Sequence, residues 1–129
     1  MQRTRLGPFD GVSRLALGGG GIGAVWGPTT RDEAIATVHV AVAAGSNLLD
    51  LAPSYGNGEA ETVVGEAFAG QIPAGVRITT KCQLGAPEPE AVYPVLRASL
   101  EASLTRLRTD HVDCFILHSL LVPDVRGER

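Results

Sequence analysis

The sequence predicts an α/β fold in which four parallel strands alternate with three crossover helices, preceded by a short N-terminal hairpin. Short apolar runs bounded by turn residues alternate along the chain with stretches of helical period. The strand candidates are mostly apolar, as is typical of parallel strands that are covered on both faces. Ionisable side chains end three of these strands, where parallel α/β folds place the groups that face a ligand.

The composition indicates one globular domain over residues 1–129, with 44% hydrophobic and 19% charged residues. The net charge is −3 and no basic stripe appears, so we expect no nucleic-acid partner. No apolar stretch is long enough to span a bilayer and the first residues lack the apolar core of a secretory signal, so we expect no membrane partner. Cys82 and Cys114 lack metal-ligand spacing, which favours a cytoplasmic protein with free thiols and no metal.

The first elements are a hairpin and a glycine run. Arg3–Leu6 and Ser13–Leu17 flank the turn segment Gly7–Gly11, which predicts a short hairpin that leads into the first core strand. The glycine run Gly18–Gly23 follows that strand directly.

Two helices and a strand come next. The capping box Thr30–Glu33 predicts the start of a helix that ends at Gly45. Asn47–Leu51 is a short apolar strand, and Glu59–Ala69 has the apolar spacing of a second helix that stops at Gly70.

The last elements repeat the alternation. Val76–Lys81 is predicted to be a strand, and Val92–Leu107 carries apolar residues at the spacing of a long amphipathic helix. Pro94 must either lie in the first turn of that helix or kink its entry. Val112–His118 is the fourth predicted strand.

Asp50, Lys81 and His118 end three successive strands, and Tyr55 follows Asp50 by five residues. Adjacent strands lie about 4.8 Å apart, so these groups would form one row if the strands are neighbours. Lys81 is also the only lysine of the chain, beside ten arginines. Taken singly, each residue has a structural explanation, such as a cap, rim packing, a satisfied histidine or codon usage. The four together favour a site.

The row has a chemical logic. A phenol has a pKa of about 10 and is a poor proton donor at neutral pH. A nearby ammonium favours the phenolate, a carboxylate keeps that ammonium charged, and an imidazole can orient a carbonyl oxygen. The set predicts a site that protonates a carbonyl while hydride arrives from another group.

Strand alternation assigns the two thiols to opposite faces of the sheet. If Lys81 points inward with Thr79, then Cys82 points outward, whereas Cys114 shares the inward phase of His118. A disulfide between the two cysteines is therefore disfavoured, and we expect both to be shielded from bulky reagents.

Residues 45–65 resemble the signature of the aldo-keto reductase family: a glycine before the strand, Asp50-Leu51-Ala52, a Tyr55-Gly56 pair, and a helix that carries Glu61 and Gly65. Residues 99–107 leading to 112–118 are similar to the second block of that family. Ile78–Lys81 matches its lysine strand. The resemblance covers nearly the whole chain from Arg14 onward.

The resemblance implies a (β/α)8 TIM barrel that reduces aldehydes or ketones with NADP(H), with NAD(H) as the second candidate. It implies a catalytic tetrad in which Tyr55 is the general acid, with Lys81, Asp50 and His118. The implied cofactor contacts are Gly18, Gly19, Gly20 and Asp50. The implied substrate contacts are Trp26, Tyr55 and His118.

The family has eight strands and this chain supplies four, so we expect residues 1–129 to be the N-terminal half of a barrel, truncated after strand 4. In the family the other half holds the nicotinamide stack and the adenosine phosphate. We therefore expect the 129-residue chain to be inactive. Its open sheet edges could pair in a homodimer.

Two other interpretations stay open. Gly18, Gly20 and Gly23 have the G-x-G-x-x-G spacing of a Rossmann dinucleotide site, although the capping box at Thr30 starts its helix too late for that motif. We expect Gly23→Ala to lower dinucleotide affinity in a Rossmann domain and to be mild in a barrel. The third interpretation is a non-catalytic fragment or interaction module.

Overall fold

The computed structural model describes residues 1–119 and contains two sheets. Two antiparallel strands form the first sheet: β1 (Arg3–Leu6) and β2 (Phe9–Ser13). Four parallel strands form the second sheet, in the order of the chain: β3 (Leu17–Gly18), β4 (Leu48–Asp50), β5 (Arg77–Cys82) and β6 (Cys114–Leu117). The described helices are α1 (Gly19–Ile22), α2 (Arg31–Ala43), α3 (Glu59–Ala67) and α4 (Pro89–Leu107).

The strand order β3-β4-β5-β6 confirms the parallel α/β prediction. Each strand pairs with the next one along the chain, as in a closed β/α barrel, and the order never reverses. A Rossmann sheet has such a reversal, and its ligand binds there. The sequential order therefore argues against the Rossmann interpretation, although a short helix, α1, does begin directly after Gly18.

The hairpin is present, but its second strand is β2 and not Ser13–Leu17. Gly7, with φ of 56°, and Pro8 make a two-residue turn, so the strand begins again at Phe9. Ser13 ends it by exchanging hydrogen bonds with Asn47, whose side chain accepts from the Ser13 N–H at 2.7 Å. The first parallel strand is consequently short and starts at Leu17.

The predicted helix boundaries hold to within a few residues. The capping box is formed, with the Glu33 N–H donating to the Thr30 hydroxyl at 3.3 Å and the Thr30 N–H donating to the Glu33 carboxylate at 2.9 Å. Pro94 lies inside α4, beyond its first turn, because Pro89 occupies the start of that helix.

The hydrophobic core lies between the sheet and the helices. It consists of Ile22, Ala34, Val38, Leu49, Leu51, Ala60, Val63, Val64, Ile78 and Leu107. Cys82 is 1% exposed and has the outward phase of Ile78, as strand alternation predicts. No helix within residues 1–119 is long and apolar enough to cross a membrane.

The opposite side of the sheet, here called the inner face, carries Leu48, Thr79, Cys114 and Ile116. Together with the hairpin it lines a cavity of about 320 Å³. Cys114 is partly exposed and Ile116 is 39% exposed. The inward phase of Cys114 is confirmed, but the expectation that its thiol is shielded is wrong, because no described element fills the inner face.

Candidate active site

The carboxyl edge of the parallel sheet, where β3 to β6 end, gathers the polar groups around Lys81. Its ammonium nitrogen lies 2.8 Å from Asp50 Oδ1, donates to the Leu51 carbonyl oxygen at 2.8 Å, and lies 3.2 Å from the Tyr55 hydroxyl oxygen. The Lys81 side chain is only 10% exposed. A buried ammonium needs a counter-charge and acceptors, and these three groups supply them.

Strand register places Asp50 against Lys81. Asp50 pairs with Thr79 across β4 and β5, so Lys81 extends two residues beyond the end of β4. The Thr79 hydroxyl donates to Asp50 Oδ1 at 2.8 Å, which helps to fix the position of the carboxylate. The Asp50 side chain remains 43% exposed, so the ion pair opens toward the carboxyl edge.

The loop after β4 brings Tyr55 back over the strand end. The Leu51 N–H donates to the Thr79 carbonyl at 2.9 Å, and the Tyr55 N–H donates to the Ala52 carbonyl at 3.0 Å, which closes a turn. The Lys81 ammonium nitrogen then lies 4.7 Å from the Tyr55 ring centroid as well as beside its hydroxyl. The phenol and the ammonium are thus in contact through both ring and oxygen.

His118 lies directly after β6 and beside Tyr55. Its N–H donates to the Cys82 carbonyl at 2.7 Å, and its ring meets the Tyr55 ring edge-on, with centroids 6.0 Å apart. Within residues 1–119, His118 Nδ1 is buried and has no hydrogen-bond partner. His118 also lines a polar cavity of about 290 Å³ together with Ser54, Asn57, Gln83, Ser99 and Pro53. The imidazole therefore has hydrogen-bonding capacity left at the site.

The glycine run occupies the neighbouring corner of the carboxyl edge. Gly18 pairs with Asp50 across β3 and β4. A Cβ atom at Gly19 would lie 3.0 Å from the Tyr55 ring, and one at Gly20 would lie 2.7 Å from the Trp26 ring. The Trp26 side chain is 80% exposed and covers Gly20.

A Cβ atom at Gly23 would lie 2.7 Å from the Tyr55 carbonyl oxygen, which is backbone and cannot rotate away. Gly23→Ala therefore disturbs the Tyr55 loop in this fold too, so the substitution does not by itself separate a Rossmann domain from a barrel.

The structure brings Asp50, Tyr55 and Lys81 into direct contact and places His118 at the Tyr55 ring. Two further participants escaped the sequence analysis. Thr79 was assigned its inward phase but no bond to Asp50, and the Leu51 carbonyl was not considered as an acceptor. The phase of Thr79 was a usable signal, whereas a backbone carbonyl leaves none. Within the described residues no group of three or more His, Cys, Asp or Glu side chains could hold a metal ion.

Comparison with known proteins gives a consistent result. A family model described as the aldo/keto reductase family matches residues 14–124. The chain is 33% identical over 111 residues to L-galactose dehydrogenase of Arabidopsis thaliana, covering 84% of this chain and 35% of that protein. It is 30% identical over 141 residues to NADH-specific methylglyoxal reductase of Escherichia coli, covering 95% of this chain and 43% of that protein.

A solved structure shows the same architecture. The aldo-keto reductase from Klebsiella pneumoniae in complex with NADPH superposes with a TM-score of 0.75 at 27% identity, covering 95% of this chain and 40% of that one. The chain thus spans less than half the length of the proteins that it resembles. The four-stranded sheet corresponds to part of a β/α barrel.

Proposed function

Because this chain belongs to the aldo/keto reductase family, we propose that it supplies the proton-transfer site of a nicotinamide-dependent enzyme that reduces aldehydes or ketones to alcohols. The contact between the Lys81 ammonium and the Tyr55 hydroxyl, at 3.2 Å, carries the proposal. An apolar side chain would stabilise the fold at least as well as an ammonium that is buried beside a phenol and a carboxylate. Stability alone therefore does not explain this arrangement.

Each side chain has one part in the proposed chemistry. Tyr55 donates its proton to the carbonyl oxygen of the substrate, and Lys81 stabilises the phenolate that remains. Asp50 lies 2.8 Å from the Lys81 ammonium and supplies its counter-charge. His118, whose ring meets the Tyr55 ring and lines the polar cavity, donates a hydrogen bond that orients the carbonyl. A bound nicotinamide would supply the hydride.

The carboxyl edge fits such a cofactor. A Cβ atom at Gly18 would meet nothing within 4 Å, so the backbone beside Asp50 is open to close approach by a ligand. We propose that Gly18, Gly19, Gly20 and Asp50 face the cofactor. We propose NADP(H), which the Klebsiella structure contains, as the cofactor; NAD(H), which the E. coli relative uses, is the second candidate.

The proposed substrate is a small carbonyl compound, as methylglyoxal is for one relative. We propose that Tyr55, His118 and the exposed ring of Trp26 contact this substrate. The two cysteines are free, which supports a cytoplasmic location.

The test uses two proteins. One is the 129-residue chain, and the other, called the completed barrel, is this chain joined to the C-terminal half-barrel of a family member. Loss of NADPH absorbance with methylglyoxal as substrate measures turnover. We expect turnover by the completed barrel and none by the 129-residue chain, since four strands cannot close a barrel. A folded completed barrel that neither quenches NADPH fluorescence nor oxidises NADPH would contradict the proposal.

A further inference from the structure

We infer that Gly19 and Gly23 are positioning residues that hold Tyr55 against Lys81, and that the glycine run owes two of its glycines to this packing. The inference deepens the proposed function, since it rests on Tyr55 as the proton donor of that site. Its geometry is independent of any cofactor.

Gly19 is enclosed by the site itself. A Cβ atom there would lie 3.0 Å from Tyr55 Cδ2, 3.0 Å from Leu51 Cδ2 and 3.1 Å from the Asp50 carbonyl oxygen. Contacts this short require the neighbours to move, and the ring of Tyr55 is the neighbour that faces Lys81. A methyl group at Gly19 would therefore displace the phenol ring and change its contact with the ammonium.

Gly23 holds the backbone of the same residue. A Cβ atom there would lie 2.7 Å from the Tyr55 carbonyl oxygen and 2.8 Å from the carbonyl carbon. That carbonyl also accepts from the Ala60 N–H at 3.2 Å, in the first turn of α3. The Tyr55 backbone thus lies between α3 and Gly23. A side chain at Gly23 must therefore displace either the Tyr55 backbone or the segment that carries Gly23.

The other glycines of the run supply the contrast. A Cβ atom at Gly18 or Gly21 would meet nothing within 4 Å, although Gly21 lies in α1 together with Gly19. At Gly20 the Cβ atom would meet the ring of Trp26, which is 80% exposed and free to swing aside. Replacing either Gly19 or Gly21 with alanine changes helix propensity by a similar amount. A difference between the two variants would therefore come from packing.

The chain offers a direct probe of the Tyr55–Lys81 contact. Lys81 is the only lysine, so a chain grown with lysine labelled at Cε gives one lysine resonance by NMR. The ammonium nitrogen lies 4.7 Å from the Tyr55 ring centroid, so the ring current of Tyr55 shifts the resonance of the adjacent CεH2 protons. Tyr55→Leu removes the ring and defines the unshifted position.

The experiment compares the Lys81 resonance of Gly19→Ala and Gly23→Ala with that of Gly21→Ala in the 129-residue chain, with backbone amide spectra as the check on folding, and measures turnover of the same variants in the completed barrel. We expect the Lys81 resonance to stay in place in Gly21→Ala and to move in the other two, because the ring-current shift depends on the position of the Tyr55 ring. In the completed barrel we expect kcat to fall about 10²-fold in Gly19→Ala with KM for the carbonyl little changed, the usual size for a misplaced catalytic group.

A folded Gly19→Ala chain whose Lys81 resonance stays in place would overturn the inference, as would an equal movement in Gly21→Ala. Gly19→Ala decides the matter if Gly23→Ala does not fold, because its shortest contacts are with side chains at 3.0 Å, whereas those of Gly23 are with backbone at 2.7 Å and 2.8 Å. If Gly19→Ala itself fails to fold, Gly19 is needed for folding, and this result would also contradict its role as a positioning residue. A moved resonance in the 129-residue chain, together with a folded completed barrel that shows no turnover, would support the inference and refute the proposed function.

Discussion

The ammonium nitrogen of Lys81 lies 3.2 Å from the hydroxyl oxygen of Tyr55, although Tyr55 belongs to a loop and Lys81 to the next strand. Asp50 and the Leu51 carbonyl fix the position of the ammonium, and Gly19 in α1 and Gly23 directly after it limit the position of the phenol. The pair is therefore held from both sides.

Removal of the ammonium should impair turnover. Lys81→Met in the completed barrel leaves the Tyr55 phenolate without its counter-charge, and we expect a loss of about 10²–10⁴ in rate, comparable with loss of the general acid itself. Arg97→Met removes an exposed cation on α4 and should leave the rate unchanged. Equal rates for Lys81→Met and Arg97→Met would show that the ammonium takes no part in the chemistry.

A buried carboxylate joins three elements behind the site. Glu61 on α3 is 0% exposed and accepts from Arg106 Nε on α4 at 2.6 Å and from the Thr80 hydroxyl on β5. Glu61→Ala leaves Arg106 and Thr80 without their partner, and we expect it to lower the free energy of unfolding by about 3–5 kcal/mol.

Glu101→Ala is the matched control for Glu61→Ala. Glu101 also accepts from an arginine Nε, that of Arg97 at 2.7 Å, but both side chains are largely exposed. The urea midpoint of Glu101→Ala should match that of the wild type. If the two variants shifted the midpoint equally, burial of Glu61 would not be the cause.

The two thiols should report on the two faces of the sheet. Cys82 is buried under the helices, whereas Cys114 is partly exposed on the open inner face. We expect a bulky maleimide to label Cys114 much faster than Cys82 in the folded 129-residue chain, measured by mass spectrometry against Cys82→Ser and Cys114→Ser. Completion of the barrel should protect Cys114. Fast labelling of Cys82 would show that β5 has the opposite phase or is unfolded.

The open sheet should also determine the association state. β3 and β6 each have one strand neighbour among the described residues, and the inner face exposes apolar groups such as Ile116. Parallel sheets rarely leave a face or an edge exposed, so we propose that the chain either pairs edge to edge with a second copy or aggregates. Light scattering coupled to gel filtration measures this. A monodisperse monomer with a sharp thermal transition would be the opposite result.

Much of this arrangement follows from local sequence signals. Thr30 and Glu33 define the start of α2 because a capping box is a local motif. Asp50, Lys81 and His118 could be predicted to meet because each ends a strand and parallel strands end at one edge. The sheet order then brought them together, and Tyr55 reached them through a loop rich in turn residues.

Other features depend on long-range geometry that leaves no local signal. The bond from Thr79 to Asp50 requires the register of β4 against β5, and a shift of one residue would turn Thr79 to the other face. The roles of Gly19 and Gly23 depend on how closely the Tyr55 loop approaches α1. The sequence alone therefore does not distinguish these two glycines from Gly18 and Gly21. The exposure of Cys114 depends on what lies opposite the inner face.

Tyr55→Phe in the completed barrel tests the central claim most directly, because it removes only the hydroxyl that lies 3.2 Å from Lys81. Tyr93→Phe is the matched control, since Tyr93 is the other tyrosine and is 69% exposed on α4. We expect Tyr55→Phe to lower the rate of NADPH-dependent aldehyde reduction by about 10²–10⁴ while Tyr93→Phe leaves it unchanged. Near wild-type turnover by a folded Tyr55→Phe barrel would contradict the assignment of Tyr55 as the proton donor.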